Sequence, residues 1–289
     1  MPSKVYFTRN ITSENVLKLY EACGLELSGN VAVKLHSGEK GNQNFLSPEF
    51  WRPMIEHVHG TVVECNTAYP GSRNTTAAHW QTMRDHGWSD AFTVDIMDEE
   101  GPDLQLLIPN GKVIQKNYVG KHLTRYDSLL VLSHFKGHPM GGFGGALKQL
   151  SIGCASSAGK ANVHGAGKPE EMWTTEQNAF LESMADAAES VVKLFDGKIV
   201  YINVMKNLSV DCDCCAVAED PCMKDIGTLS SLDPVALDKA CVDLVYASDD
   251  PGKVHLIERI ESRHGTHTLD HAAAIGLGNP DYELIDIDN

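Results

Sequence analysis

Four thiols crowd into one acidic stretch, Asp211-Cys212-Asp213-Cys214-Cys215-Ala216-Val217-Ala218-Glu219-Asp220-Pro221-Cys222. Thiolates are soft ligands that suit iron–sulfur clusters, zinc or Cu(I). Cys212, Cys214, Cys215 and Cys222 are therefore the expected metal ligands. An iron–sulfur cluster is the first expectation, and zinc or another thiophilic metal the alternative. The spacing C-x-C-C-x6-C differs from the ferredoxin run C-x2-C-x2-C and from the paired cysteines of structural zinc sites, so the metal's identity stays open. Neighbouring Cys214 and Cys215 point opposite ways in an extended chain, so an irregular loop must converge them. Asp211 and Asp213 could ligate as well, and without a cation their charge raises the thiol pKa values. The other readings are redox-active thiols, or inert thiols that behave as small hydrophobes.

A second set of residues suits anion binding. Ser133-His134-Phe135-Lys136-Gly137-His138-Pro139-Met140-Gly141-Gly142-Phe143-Gly144-Gly145-Ala146-Leu147-Lys148 follows a strand and opens a helix. Glycines let backbone approach a ligand, and a helix start offers free N–H groups to an anion. Gly153-Cys154-Ala155-Ser156-Ser157-Ala158-Gly159-Lys160, with His164 beyond it, reads as a second Gly-rich loop. With Lys34-Leu35-His36 these segments predict a pocket lined by Lys34, His36, His134, Lys136, His138, Lys148, Lys160 and His164. In it His138 would serve as general base and Lys136 and Lys148 would hold the anion. Neither loop matches a P-loop or a dinucleotide fingerprint. The bland alternative is tight turns with solvated histidines. His267 and His271, at i and i+4 on a helix, form a workable metal pair but lack a neighbouring third ligand. Cys23 and Cys241 read as core, Cys154 as core or functional, and Trp51, Trp80, Trp88 and Trp173 as packing.

These segments need a frame. Strand-like stretches at 5–8, 30–35, 61–65, 92–96, 128–133, 198–204 and 282–287 alternate with helical ones. The helical stretches are 13–23 (capped by Ser13), one opening at Ser47-Pro48, 75–86, 144–153, 175–195, 233–246, 251–263 and 267–275. Leu104–Ile108 and Lys112–Tyr118 flank the turn Pro109-Asn110-Gly111 and predict a hairpin. Such alternation predicts an α/β fold: a mainly parallel or mixed sheet with helices on both faces and the site on loops at the carboxyl ends of strands. The expected organisation is a single α/β domain over 1–289, with two lobes as a variant.

Composition narrows the function classes. The chain has 289 residues, with 24 Lys and Arg against 39 Asp and Glu, a formal charge of −15. That field disfavours nucleic acid, whose binding needs phosphate neutralisation, and anionic membranes. It leaves room for one locally basic pocket. No stretch of about 18 apolar residues predicts a membrane span, and the N-terminus lacks the apolar run of a signal peptide. Cytoplasm is the expected compartment, where eight cysteines point to metal or redox chemistry rather than disulfides.

Several stretches together resemble the uncharacterised bacterial and archaeal family known as domain of unknown function 362, often labelled iron–sulfur centre protein. They are Val31–His36, Ser133–His138, Gly142–Lys148, Gly153-Cys154-Ala155, Asp211–Cys214, Asp225-Ile226-Gly227, Asp233–Asp238 and Gly276-Leu277-Gly278. The resemblance implies an α/β fold and iron–sulfur or other metal binding, without a settled reaction. Many members insert a ferredoxin-like module after the stretch matching His164. Here Gly165-Ala166-Gly167-Lys168-Pro169 passes straight on without a cysteine, while Cys215 and Cys222 are additions to the commoner pattern. The expected function is a metal-binding protein with a redox or electron-transfer role beside the Lys/His/Gly pocket. The alternatives are an enzyme acting on a small carboxylate or phosphorylated substrate, and a non-catalytic metal carrier. The expected partners are a small anionic ligand and a redox partner protein.

Overall fold

A computed structural model describes residues 1–101 and 103–288. The first third of the chain winds strands and helices in turn: β1 (Ser3–Thr8), α1 (Ser13–Ala22), β2 (Val31–Lys34), α2 (Pro48–His57), β3 (Thr61–Glu64), α3 (Thr76–Asp85), α4 (Trp88–Ala91) and β4 (Val94–Ile96). A hairpin of β5 (Leu104–Leu107) and β6 (Lys116–Val119) precedes the central strand β7 (Ser128–His134). Next come the small ribbon β8 (Lys136–His138) and β9 (Gly142–Gly144), then α5 (Ala146–Lys148), which runs into a π-helical turn over Gln149–Gly153. The remainder comprises α6 (Ser157–His164), α7 (Gln177–Phe195), β10 (Ile199–Met205), β11 (Gly227–Ser231), α8 (Pro234–Ala247), α9 (Lys253–Ser262), α10 (His267–Ala274) and β12 (Tyr282–Asp286).

Eight strands form one sheet in the order β12-β1-β11-β10-β7-β2-β3-β4. Every neighbouring pair is parallel except the two made by β11, which runs against β1 and β10. The expected α/β architecture with a mainly parallel, mixed sheet is thus present. The strand at 227–231 is absent from the sequence reading. Gly227-Thr228-Leu229-Ser230-Ser231 has a single large apolar residue, so it lacks the hydrophobic run that marks a buried strand, yet all five residues are buried.

Alternation along the strands divides the core. Leu129 and Val131 of β7 face a cluster with Ala185, Ala188 and Val191 of α7 and Leu237 and Cys241 of α8. Leu130 and Leu132 face a cluster with Val16 and Tyr20 of α1 and Trp51, Met54 and Ile55 of α2. A sheet covered on both faces keeps polar chemistry away from its middle and leaves the carboxyl edge for a site. Local signals set several helix starts. Ser47 accepts from Phe50 N ahead of Pro48, and Asp233 accepts from Val235 N and Ala236 N ahead of Pro234, as capping and a first-turn proline require. The first helix is capped by Thr12 rather than Ser13, since the Thr12 side chain accepts from Asn15 N. Residues 157–164, expected as loop, form α6, capped by Ser156 through Gly159 N. Among the described residues no helix is long and apolar enough to cross a membrane.

Candidate functional site

The parallel neighbours β10, β7, β2 and β3 end on the same edge, and the last residues of β2 and β3 supply the site's first polar groups. Lys34 closes β2 and Glu64 closes β3, both buried, with Lys34 Nζ 3.1 Å from Glu64 Oε2. Lys34 also donates to Leu35 O. Glu64 Oε1 accepts from Ser37 N at 2.8 Å and lies 3.6 Å from Arg73 Nη1. Burial acts to raise the Glu64 pKa, but the charges of Lys34 and Arg73 outweigh it and hold the carboxyl well below its usual range. Arg73 donates from Nε to Glu39 at 3.0 Å, and its Nη2 sits 3.3 Å from His36 Nε2. Burial and the Arg73 charge keep His36 neutral, well below the ordinary histidine pKa. Sequence reasoning missed Glu39, Glu64 and Arg73. Each is one polar residue without a local motif, and Arg73 joins the site only through the loop after β3.

At the end of β7, His134 and Lys136 do not reach the pocket wall where they were expected. His134 Nδ1 lies 2.9 and 3.0 Å from the Asp213 carboxylate oxygens, and Lys136 Nζ donates to Asp213 Oδ2 at 2.7 Å. His134 Nε2 faces Lys206 O at 2.5 Å. Burial raises the Asp213 pKa less than the His134 and Lys136 charges lower it, so it stays ionised. These residues anchor the turn that carries the cysteines. Asn42 anchors it from the other side, its Nδ2 donating to Cys215 O at 2.9 Å and Cys212 O at 3.3 Å.

The turn brings two of the four thiols together. One donor atom each of His138, Cys212 and Cys214 lies within 4.8 Å of the others, so this buried group could hold a metal ion. Lys148 Nζ is 3.2 Å from Cys212 Sγ, Cys214 N donates to the same sulfur at 3.4 Å, and Cys214 Sγ is 3.9 Å from His138 Nε2. Burial opposes ionisation of Cys212, but the Cys214 hydrogen bond and the charges of Lys148 and Lys136 overcome it and hold the thiol well below its ordinary pKa. Cys214 is pushed up in turn by its hydrogen bonds to Cys212 and Cys215 and by burial. The pair therefore carries one shared negative charge. That charge outweighs burial and holds Lys148 protonated.

The expectation that all four thiols converge is corrected here. Cys222 Sγ turns to Leu208 O at 3.2 Å, and Cys215, half-buried, lies outside the group of three. The backbone explains it: Cys215 N bonds to Cys212 O in a tight turn, while Cys222 N is tied to Leu208 O. Cys154 is buried with its thiol pushed up to about 11, chiefly by burial, an inert state. His267 and His271 each face a carboxylate of α7, at 2.8 Å from Glu182 and 2.9 Å from Asp186, far along the chain from the thiols.

Beside the thiol pair lies a cavity of about 40 Å³ whose wall includes Lys34, His36, His138, Lys148, Lys160, His164, Arg73 and Cys214. Six of the eight pocket residues named from sequence thus meet in one wall. Helix α6 places Lys160 and His164 one turn apart. Lys160 Nζ donates to Ala155 O at 2.6 Å and Cys65 O at 3.4 Å, and burial lowers its pKa. His164 Nδ1 faces Lys160 O at 2.7 Å and its ring stacks on Phe180. Burial lowers the His164 pKa to about 4, so the ring is neutral with its free lone pair on Nε2. His138 has the opposite tautomer. Its Nδ1 accepts from Met140 N at 3.1 Å and Gly141 N at 2.9 Å, so the ring proton sits on Nε2, aimed at the sulfurs.

Among known proteins, the family model described as Domain of unknown function (DUF362) matches residues 31–243. No curated protein matches the chain. Two solved structures are similar at low identity. One is the lactate racemase apoprotein from Thermoanaerobacterium thermosaccharolyticum, with 16% identity and a TM-score of 0.43 over 69% of this chain and 50% of that one. The other is a structural-genomics protein from Thermotoga maritima, with 12% identity and a TM-score of 0.46 over 91% of this chain and 58% of that one. The chain therefore spans between half and three-fifths of the length of each. With the matched segment containing β2, β7, the thiol turn and the start of α8, the chain belongs to the DUF362 family.

Proposed function

We propose that the protein binds a small carboxylate or phosphate group in this pocket and acts on it through the thiolate shared by Cys212 and Cys214. The observation that carries the reading is a local excess of positive charge inside a chain of charge −15. Lys34, Arg73, Lys148 and Lys160 line the cavity against the Glu64 carboxylate and the adjacent thiolate. With Glu39 paired to Arg73 as well, one cation, Lys160, is left over for a ligand. A volume of about 40 Å³ holds roughly three waters, enough for an anionic head group and not for a nucleotide. Lys148 and the His138 Nε2 proton stabilise the thiolate, which supplies the nucleophile or base. His164, neutral with Nε2 free, is an acceptor in the same wall. Lys136 has a positioning role through Asp213.

A thiophilic metal is a second reading, favoured by the grouping of His138, Cys212 and Cys214. A four-thiolate iron–sulfur cluster does not fit, because Cys222 is turned to Leu208 O and Cys215 lies outside the group of His138, Cys212 and Cys214. His138 also suits a ligand poorly. A ligating histidine donates its other N–H to an acceptor, whereas His138 Nδ1 faces two backbone donors. A single ion would rest chiefly on the two sulfurs, and a redox role would require a partner protein.

Competition between two alkylating agents tests the proposal. Iodoacetate carries the carboxylate that the pocket attracts and iodoacetamide does not, so Cys212 or Cys214 should react faster with iodoacetate, the reverse of an ordinary thiol. Inorganic phosphate should protect, and Lys160→Met should abolish the preference. Peptide mapping by mass spectrometry reads the result. Equal rates with no protection by phosphate overturn the anion reading. Stoichiometric zinc, iron or copper in the same anaerobically purified protein establishes the metal reading instead.

A further inference from the structure

The thiol turn shows the cavity one sulfur and keeps a second close by. Cys214 lines the cavity, whereas Cys212 is fully buried. Their sulfur atoms lie within 4.8 Å of one another. The turn is fixed from several directions. Cys215 N bonds to Cys212 O at 2.9 Å, Cys214 N donates to the Cys212 sulfur at 3.4 Å, and Asp213 between the two cysteines is pinned by His134 and Lys136. Lys148 Nζ stands 3.2 Å from the Cys212 sulfur, and an ammonium at that range favours the thiolate, the form that attacks. A nucleophile for an anionic ligand needs one sulfur. It does not account for a second thiol held against the first.

We infer that Cys214 and Cys212 are a dithiol that reduces hydrogen peroxide, Cys214 as the attacking sulfur and Cys212 as the one that closes the disulfide. This activity is independent of anion binding, because hydrogen peroxide is neutral. With the pair's proton on Cys212, the Cys214 thiolate attacks one peroxide oxygen. The O–O bond breaks, the leaving hydroxide takes a proton from solvent as water, and Cys214 becomes a sulfenic acid. The Cys212 sulfur then attacks the Cys214 sulfur. The S–O bond breaks, the S–S bond forms, and a second water departs with the Cys212 proton. Two electrons pass from the sulfurs to the peroxide. His138 Nε2, 3.9 Å from the Cys214 sulfur, carries a proton that can hydrogen-bond the departing oxygen. A cavity of about 40 Å³, roughly three waters, admits hydrogen peroxide and excludes a bulky organic hydroperoxide. The ring closed through Cys212-Asp213-Cys214 is small, and a strained disulfide is readily reduced, so a small external thiol returns the pair to its starting state. Cys65, Cys154 and Cys241 are buried with their thiols pushed up by burial, which leaves them unreactive.

The test exposes chelator-treated protein to limiting hydrogen peroxide and titrates its free thiols in denaturant. The eight thiols of the reduced chain should fall by two, the mass should drop by two hydrogens, and dithiothreitol should restore both values. Cumene hydroperoxide, too large for the cavity, should react at least about tenfold more slowly. Cys215→Ser with Cys222→Ser should still lose two thiols. Cys212→Ser should instead stop at the Cys214 sulfenic acid, which dimedone traps for mapping by mass spectrometry. A wild type that keeps all its thiols overturns the activity. So does a disulfide that still forms in Cys212→Ser, or one that vanishes in the Cys215→Ser, Cys222→Ser variant. Iodoacetate preference without peroxide oxidation leaves the anion reading standing alone, and oxidation without that preference does the reverse.

Discussion

At the scale of single residues, the pocket depends on how Lys148 and Cys212 fix each other's charge. An ammonium 3.2 Å from a buried sulfur favours the thiolate over the thiol, and the thiolate in turn favours the ammonium. In Lys148→Met the thiol pair should ionise at a higher pH, because burial would then act with less opposition. Each pKa unit regained is tenfold less thiolate at a given pH. Absorbance of the metal-free protein near 240 nm against pH reads this directly, and an unmoved thiolate step would show that Lys148 does not set the charge. The reach of sequence reasoning is visible on the same residues. Lys148 and His138 stand in a Gly-rich segment that marks itself, so their chemistry is legible from composition and position. Glu64 and Arg73 carry no such mark. Their importance lies in charge pairing between loops, and nothing in Val63-Glu64-Cys65 or Ser72-Arg73-Asn74 announces it.

At the scale of elements, the ribbon β8–β9 and the cysteine turn must touch for the site to exist. Gly137 makes that contact possible: its N–H donates to Ser209 O at 2.8 Å, and a Cβ there would stand 2.3 Å from Val210 O. Backbone cannot yield as a flexible side chain does, so Gly137→Ala must push the turn outward. The expected result is faster iodoacetamide labelling of Cys212, loss of the phosphate protection, and a destabilisation of about 1–3 kcal/mol as in other overpacked sites, with far-UV circular dichroism unchanged. Wild-type labelling rates in a folded Gly137→Ala protein would contradict the contact's role. The Gly-rich composition near 137–145 and 153–159 was legible as close approach. That 157–164 would instead coil into α6 was not, because Gly159 lowers helix propensity and only tertiary contact supports it there: a Cβ at Gly159 would meet Tyr118 O at 1.8 Å.

For the molecule as a whole, buried charge couples stability to pH. Asp213 and Glu64 have folded pKa values below those of the unfolded chain, so each contributes stability that is present above about pH 4 and is lost as pH falls through the depressed folded value. Asp238 acts the other way. Burial raises its pKa to about 6, so its contribution is present below about pH 4 and declines as pH rises toward 6. Urea unfolding of the wild type should therefore lose stability steeply below about pH 4, and Asp213→Asn should flatten that acid limb while lowering stability at pH 7. Parallel curves for the two proteins would show that Asp213 is not linked to folding. The sequence by itself determined the alternation of strands and helices, the two-sided sheet, and the residue types gathered at its carboxyl edge, because hydrophobic period, caps and Gly-rich turns are properties of neighbours along the chain. Which two of four thiols meet, which histidine nitrogen holds the proton, and which lysines face the cavity rather than an aspartate were decided by tertiary structure alone. Those outcomes depend on contacts between segments more than 170 residues apart, as the 173 between Asn42 and Cys215, and on burial that no local pattern encodes.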